Sequence, residues 1–129
     1  MRILFVEDNQ AFVETLVPLL QERDFDVDVT ANITEAIQLF DSRHYDLVIS
    51  DVHLSEDEAG ASASGLALLR HIRKKRDSNV LIAVTTGLEL IEESDIKKRG
   101  ADLFFYKPLR MGFAEFADLM KETVASREI

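Results

Sequence analysis

Residues 80–85 read Val-Leu-Ile-Ala-Val-Thr, an almost wholly apolar run. Such a run is the mark of a parallel strand covered on both faces. A parallel strand needs a crossover on each side, and both are legible. Downstream, residues 88–99 carry Leu88, Ile91 and Ile96 at helical spacing, Gly100 suits a helix end, and residues 103–106 read as a last strand. Upstream, residues 65–76 place Leu66, Leu68, Leu69 and Ile72 on a helical stripe, preceded by a strand at 47–50 that runs into Asp51. The same alternation continues to the N-terminus. Residues 34–42 are helical, with Ala36, Ile37 and Phe40 in line; residues 26–30 (DVDVT) alternate strictly as a half-exposed strand; residues 11–22 carry Phe12, Leu16, Leu19 and Leu20; and residues 2–6 (RILFV) form a short buried strand. Residues 111–126, with Phe113, Phe116, Met120 and Val124, close the chain as a helix.

Strands alternating with helices of this length are βαβ units, and right-handed crossovers then give a parallel sheet with helices on both faces. The expected fold class is α/β, a five-stranded doubly wound parallel sheet over the single domain 1–129. An eight-stranded barrel needs about twice the length. Two features stand out against this frame. Pro18 lies inside the first helix, where it removes a backbone bond and is expected to kink the helix. Residues 55–64 (SEDEAGASAS) make a polar loop longer than the usual strand-to-helix connection of about 2–6 residues.

The composition excludes several classes. A chain of 129 residues is long enough to bury about 68% of its unfolded surface without staples. It has no cysteine, so a disulfide framework, a thiol nucleophile and a thiolate metal site are ruled out. With 24 acidic and 15 basic residues the formal charge is −9, which argues against direct nucleic-acid binding. No apolar run approaches the roughly 20 residues of a membrane span. The strand pattern begins at Met1 without a charged, cleavable leader, so the expected setting is cytoplasmic.

The acids fall where ligands bind. Glu7 and Asp8 follow the first strand and Asp51 follows the third. In open α/β sheets, ligands sit beyond the carboxyl ends of the strands, at the switch point of strand order. Three carboxylates converging there call for a cation, and oxygen-only donors favour a hard one, Mg²⁺ over Zn²⁺. Thr85 and Lys107 end the fourth and fifth strands at the same crevice. Carboxylates, a divalent ion, an ammonium and a hydroxyl together suit a phosphoryl group, with Asp51, central among the acids, as the nucleophile.

Four segments, VEDN (6–9), LVISDVHL (47–54), VTTG (84–87) and GADLFFYKPL (100–109), together resemble the receiver domain of two-component response regulators along essentially the whole chain. The resemblance implies a flavodoxin-like strand order 2-1-3-4-5. It implies that Asp51 accepts phosphate from the phosphohistidine of a sensor histidine kinase or phosphotransfer protein. It implies Mg²⁺ held by Asp8, Asp51, the backbone carbonyl of His53 and, through water, Glu7. Thr85 would bond a phosphoryl oxygen and Lys107 would pair with it. Phe104 would be the aromatic switch that turns inward as Thr85 moves, His53 and Gly87 would tune the lifetime of the phosphate, and the Lys107–Pro108 bond would be cis. The output is then binding to a downstream partner protein or output domain, or homodimerisation. The domain would be no enzyme beyond self-catalysed phosphotransfer and autodephosphorylation.

Three positions depart from the family pattern: Ser55 replaces a usual proline, the loop before Gly65 is about six residues long in excess and carries Glu56, Asp57 and Glu58, and Thr86 replaces a smaller residue. These departures keep open the alternative of a pseudo-receiver, a phosphorylation-independent binding scaffold. An aspartyl-phosphate phosphatase would want a second Asp at position 53, and a flavin module would want Ser, Thr or Gly where Glu7 and Asp8 stand. The one basic run, RHIRKKR at 70–76, sits at a helix C-terminus, where the dipole favours cations; it reads as a solvated helix end, with a partner patch as the alternative.

Overall fold

In a computed structural model of the chain, residues 1–52, 64–75, 80–87 and 93–127 are described. Five strands, β1 (Arg2–Val6), β2 (Asp26–Thr30), β3 (Leu47–Asp51), β4 (Leu81–Thr86) and β5 (Leu103–Tyr106), alternate with helices α1 (Gln10–Gln21), α2 (Ile33–Ser42), α3 (Ser64–Lys74), α4 (Glu93–Lys98) and α5 (Phe113–Arg127). The sheet is parallel throughout in the order β2-β1-β3-β4-β5, as expected.

The period of two along each strand divides the core into two layers. Leu4, Val6, Val48, Ile82, Val84 and Phe104 face Ala36 of α2, Leu68, Leu69 and Ile72 of α3 and Ile96 of α4. Ile3, Phe5, Leu47, Ile49 and Ala83 face Phe12, Leu16 and Leu20 of α1 and Phe116, Met120 and Val124 of α5. β4 is buried at every position, which is why its sequence does not alternate, whereas the edge strand β2 buries fully only Thr30.

The helix α1 runs through Pro18 rather than stopping there. The proline lacks a donor for the preceding turn, but Leu16 and Leu20 on either side of it are wholly buried, and that packing offsets the missing bond. Two asparagines start helices: Asn9 Oδ1 accepts from Phe12 N at 3.1 Å, and Asn32 Oδ1 from Glu35 N at 2.9 Å. The turn after α4 is held by Arg73. Its guanidinium donates to Gly100 O, Val80 O and Asp102 Oδ2, each at 2.9 Å. Asp102 Oδ2 also accepts from Ile82 N at 2.8 Å, so α3 is tied to the start of β4 and of β5. Arg73 is therefore a structural clamp and not part of a freely solvated helix end.

Candidate functional site

The same period of two that builds the α1/α5 layer also builds the site. Continuing the series Ile3–Phe5, Leu47–Ile49, Leu81–Ala83 and Leu103–Phe105 by one more step gives Glu7, Asp51, Thr85 and Lys107. Each is the position at which an inward-facing row leaves the apolar core at the carboxyl end of a strand. The ladder carries the register out to that edge. Asp51 pairs with Thr85 across β3 and β4, Val52 N donates to Thr85 O at 2.9 Å, Lys107 N to Thr86 O at 2.8 Å, and Glu7 N to Thr30 O at 3.0 Å.

Lys107 is the centre of the arrangement. Its Nζ donates to Glu7 Oε1 and to Asp51 Oδ2, both at 2.7 Å. It also stands 5.3 Å from the centroid of the Phe12 ring, a cation–π contact that lines its stem with α1. The Glu7 side chain is fully buried, that of Asp51 is 6% exposed and that of Lys107 16% exposed, so these are charges held largely out of water. Glu7 Oε2 accepts from Asp8 N and Asn9 N at 3.1 Å each, which turns the chain from β1 into α1. Burial pushes the Glu7 carboxyl above its ordinary range, outweighing the Lys107 contact and the backbone bond that pull it down. Burial alone would depress Lys107, but the bonds to Asp51 and Glu7 prevail and hold its ammonium above the usual lysine value.

Carboxylate oxygens of Glu7, Asp8 and Asp51 lie within 4.8 Å of one another. Such a cluster, all oxygen and carrying more negative charge than Lys107 neutralises, fits a hard divalent cation. Thr85 is wholly buried, and its Oγ1 is the one buried side-chain polar atom among the described residues without a hydrogen-bond partner. A buried hydroxyl left unpaired is costly and usually has a functional reason.

The remaining expected positions divide. Phe104 is buried in the α2/α3/α4 layer, 5.0 Å from the Tyr106 ring edge to face, beside Val84 in the register. It is thus on the opposite face of the sheet from Lys107, one residue along the neighbouring strand from the partner of Thr85. Gly87 is exposed and lines a groove of about 540 Å³ with Tyr106, Lys107, Pro108, Leu109 and Arg110. The Lys107–Pro108 peptide is cis, as the resemblance implies. Thr86 is wholly buried, on the face of Ile82 and Val84. His53, Ser55 and the acidic loop at 55–63 lie outside the described residues. Sequence reasoning missed Phe12 beneath Lys107 and Asn9 at the helix start; the first is a contact between residues 95 apart, while the Asn-x-x pattern ahead of an apolar helix could have shown the second.

Comparison with known proteins gives the family and the fold. The family model of the response regulator receiver domain matches residues 3–115. The transcriptional regulatory protein PmrA of Pectobacterium parmentieri is 31% identical over 111 residues, covering 86% of this chain and 47% of that protein. The chain thus spans about half the length of the curated relatives it matches. A CheY-like receiver domain protein from Methanospirillum hungatei superposes with a TM-score of 0.82 at 23% identity, over 98% of this chain and 95% of that one. The receiver domain of the sensor histidine kinase PA1611 from Pseudomonas aeruginosa, solved with magnesium coordinated in its active-site cleft, superposes with a TM-score of 0.77 at 21% identity, over 96% and 97%.

Proposed function

The chain belongs to the response regulator receiver family, and from that premise we propose that it accepts a phosphoryl group on Asp51 from a phosphohistidine and so switches a protein-interaction surface. The observation that carries the reading is Lys107 Nζ, seated 2.7 Å from both Asp51 and Glu7 at the carboxyl edge of the sheet. An ammonium held there by two carboxylates is already placed to meet the charge that a phosphoryl group brings to one of them.

An Asp51 carboxylate oxygen attacks phosphorus, the new P–O bond forms as the P–N bond to the donor imidazole breaks, and the imidazole leaves with that electron pair and takes up a proton. Phosphorylation adds about −1.5 to −2 charge to a site that is already acidic. Lys107 exchanges its contact with the Asp51 carboxylate for one with a phosphoryl oxygen. Glu7, Asp8, Asp51 and the carbonyl of His53 would hold Mg²⁺, which when bound neutralises charge on the transferring group. The unpartnered Thr85 hydroxyl donates to a phosphoryl oxygen and ceases to be a buried orphan. That differential contact is what shifts the equilibrium between two conformations. Phe104, one register position away, repacks with Thr85 and carries the change to the surface. Gly87, exposed at the end of β4, and, as the family resemblance implies, His53 tune the lifetime of the phosphate. The partners on this reading are a sensor histidine kinase or phosphotransfer protein upstream and a partner protein, output domain or second copy downstream, in the cytoplasm. Among the described residues no helix is long and apolar enough to cross a membrane.

The test is intact mass after incubation with Mg²⁺ and acetyl phosphate, beside Asp51→Asn. The expected result is one phosphoryl group gained by the wild type alone. No gain by the wild type, or equal gain by the variant, would overturn the proposal.

A further inference from the structure

Cations are unevenly placed on this acidic chain. Residues 70–75 and 97–99 hold seven of its 15 Lys and Arg residues, and the described length of α3 has no acid at all. The clamp made by Arg73 brings the end of α3 against the turn after α4. Between them lies a groove of about 240 Å³ lined by Leu66, Arg70, Arg73, Lys74 and Arg99.

The helix dipole accounts for cations in a last turn, such as Lys74, but not for this convergence. Arg70 and Lys74 are exposed and stand one turn apart on one face, a like-charge pair that weakens a helix. Neither has an acidic partner among the described residues. Arg99 pairs with Asp95 at 3.4 Å, an exposed contact of little worth and its one acidic partner among the described residues. Arg73 is neutralised by Asp102, so among the described residues the groove keeps positive charge without an acidic partner, at Arg70 and Lys74, around a half-buried leucine. The aliphatic stems of the arginines and the lysine extend the apolar floor that Leu66 begins, with their charged heads at the rim.

We infer that this α3/α4 groove is a docking surface for an acidic segment of a partner protein, one that presents an aliphatic side chain flanked by carboxylates. The aliphatic side chain covers Leu66, and the carboxylates meet Arg70, Lys74 and Arg99. Charge complementarity selects this occupant. A nucleic acid brings a dense, continuous row of phosphates, and those would run over Asp95 and Asp102, which pair with the groove residues Arg99 and Arg73, on a chain of net charge −9. A short acidic segment places its charge only where the cations are. The surface is separate from the phosphoacceptor site, and the inference does not depend on phosphoryl transfer.

The experiment is fluorescence anisotropy at low salt with a labelled peptide in which one leucine is flanked by aspartates and glutamates. The same peptide with serine for leucine and a single-stranded DNA of equal length serve as comparisons. Wild-type protein is expected to bind the leucine peptide. Arg70→Glu/Lys74→Glu should weaken it about tenfold or more, with an unchanged thermal midpoint because neither side chain holds the fold. The serine peptide should bind about tenfold more weakly than the leucine peptide. No binding, equal binding by the variant, equal binding of the serine peptide, or tighter binding of the DNA would each overturn the inference.

Discussion

Lys107→Met removes the ammonium but keeps an unbranched apolar stem over Phe12, so it isolates the charge. Two N–O contacts of 2.7 Å are lost. At an effective dielectric near 20, each is worth about 6 kcal/mol of gross attraction. Most of that is offset in the wild type by the cost of burying the lysine itself. What the variant suffers is two largely buried carboxylates, Glu7 and Asp51, that have lost the ammonium they share. Removing one partner of a buried pair typically costs about 3–5 kcal/mol, and the partial exposure of Lys107 puts the expected loss near the lower figure. For a chain of this length that lowers the thermal midpoint by roughly 10 °C. The loss should also depend on pH in a fixed direction. The raised pKa of Glu7 means that the folded state holds this proton more tightly than the unfolded chain does. Its ionisation therefore costs stability above the raised value, and the cost is relieved as pH falls back towards the ordinary carboxylate range. Without Lys107 the contacts that lower this pKa are gone and it climbs further. The deficit should be larger at neutral pH and should shrink as pH falls towards the ordinary carboxylate range, because the folded variant takes up the Glu7 proton more readily than its unfolded chain does. The assay is urea and thermal unfolding of both proteins in EDTA from neutral pH down to that range. A loss below about 1 kcal/mol, or one that is the same at both ends, would refute the claim that Lys107 neutralises a buried acidic pair.

Three further outcomes follow from the same contacts. Gly100 sits at φ +114°, and a Cβ there would fall 2.6 Å from Arg73 Cγ, whose guanidinium is bonded at three points; Gly100→Ala should cost about 2 kcal/mol or more in chemical unfolding. Tyr45, whose hydroxyl donates to Asp28 Oδ2 at 2.7 Å, is pushed up to about 12 by burial and then by that carboxylate, so one tyrosine should ionise late in an ultraviolet titration. The stability linked to it is present below pH 10 and is lost as pH rises towards 12; Tyr45→Phe should abolish that alkaline slope. Mg²⁺ at about a hundred times its dissociation constant should stabilise the wild type by about 2.7 kcal/mol, and Asp8→Asn should remove most of that gain in a thermal-shift titration.

How much of this was legible in the sequence follows from the range of the forces involved. The strand positions were legible because burial on two faces leaves a continuous apolar run, and β4 differs from that reading only by running from Leu81 to Thr86. The site was legible for a related reason. A strand's period of two converts a sequence offset into a direction, so Glu7, Asp51, Thr85 and Lys107 could be placed at one edge before any contact was known. The interactions that tune the site were not legible. The Phe12 ring under Lys107, the unpaired hydroxyl of Thr85 and the Arg73 clamp depend on which elements end up adjacent, and no local pattern encodes that. Pro18 shows the same limit from the other side: a strong local rule predicts a disturbed helix, and the burial of Leu16 and Leu20 carries the helix past it.

The basic run at 70–76 shows why the distinction matters for function. As a string it is one feature, a cationic helix end. In three dimensions it separates into residues with different tasks. Arg73 spends its donors on Val80, Gly100 and Asp102, and His71 and Lys75 pair with Asp41 of α2, which lowers the Asp41 carboxyl below its ordinary range. Those three hold α3 against its neighbours. Among the described residues Arg70 and Lys74 have no acidic partner, and two like charges one turn apart beside an exposed groove weaken a helix. Charge that the described residues leave unpaired, on a chain of net charge −9, is accounted for by an acidic partner that meets it.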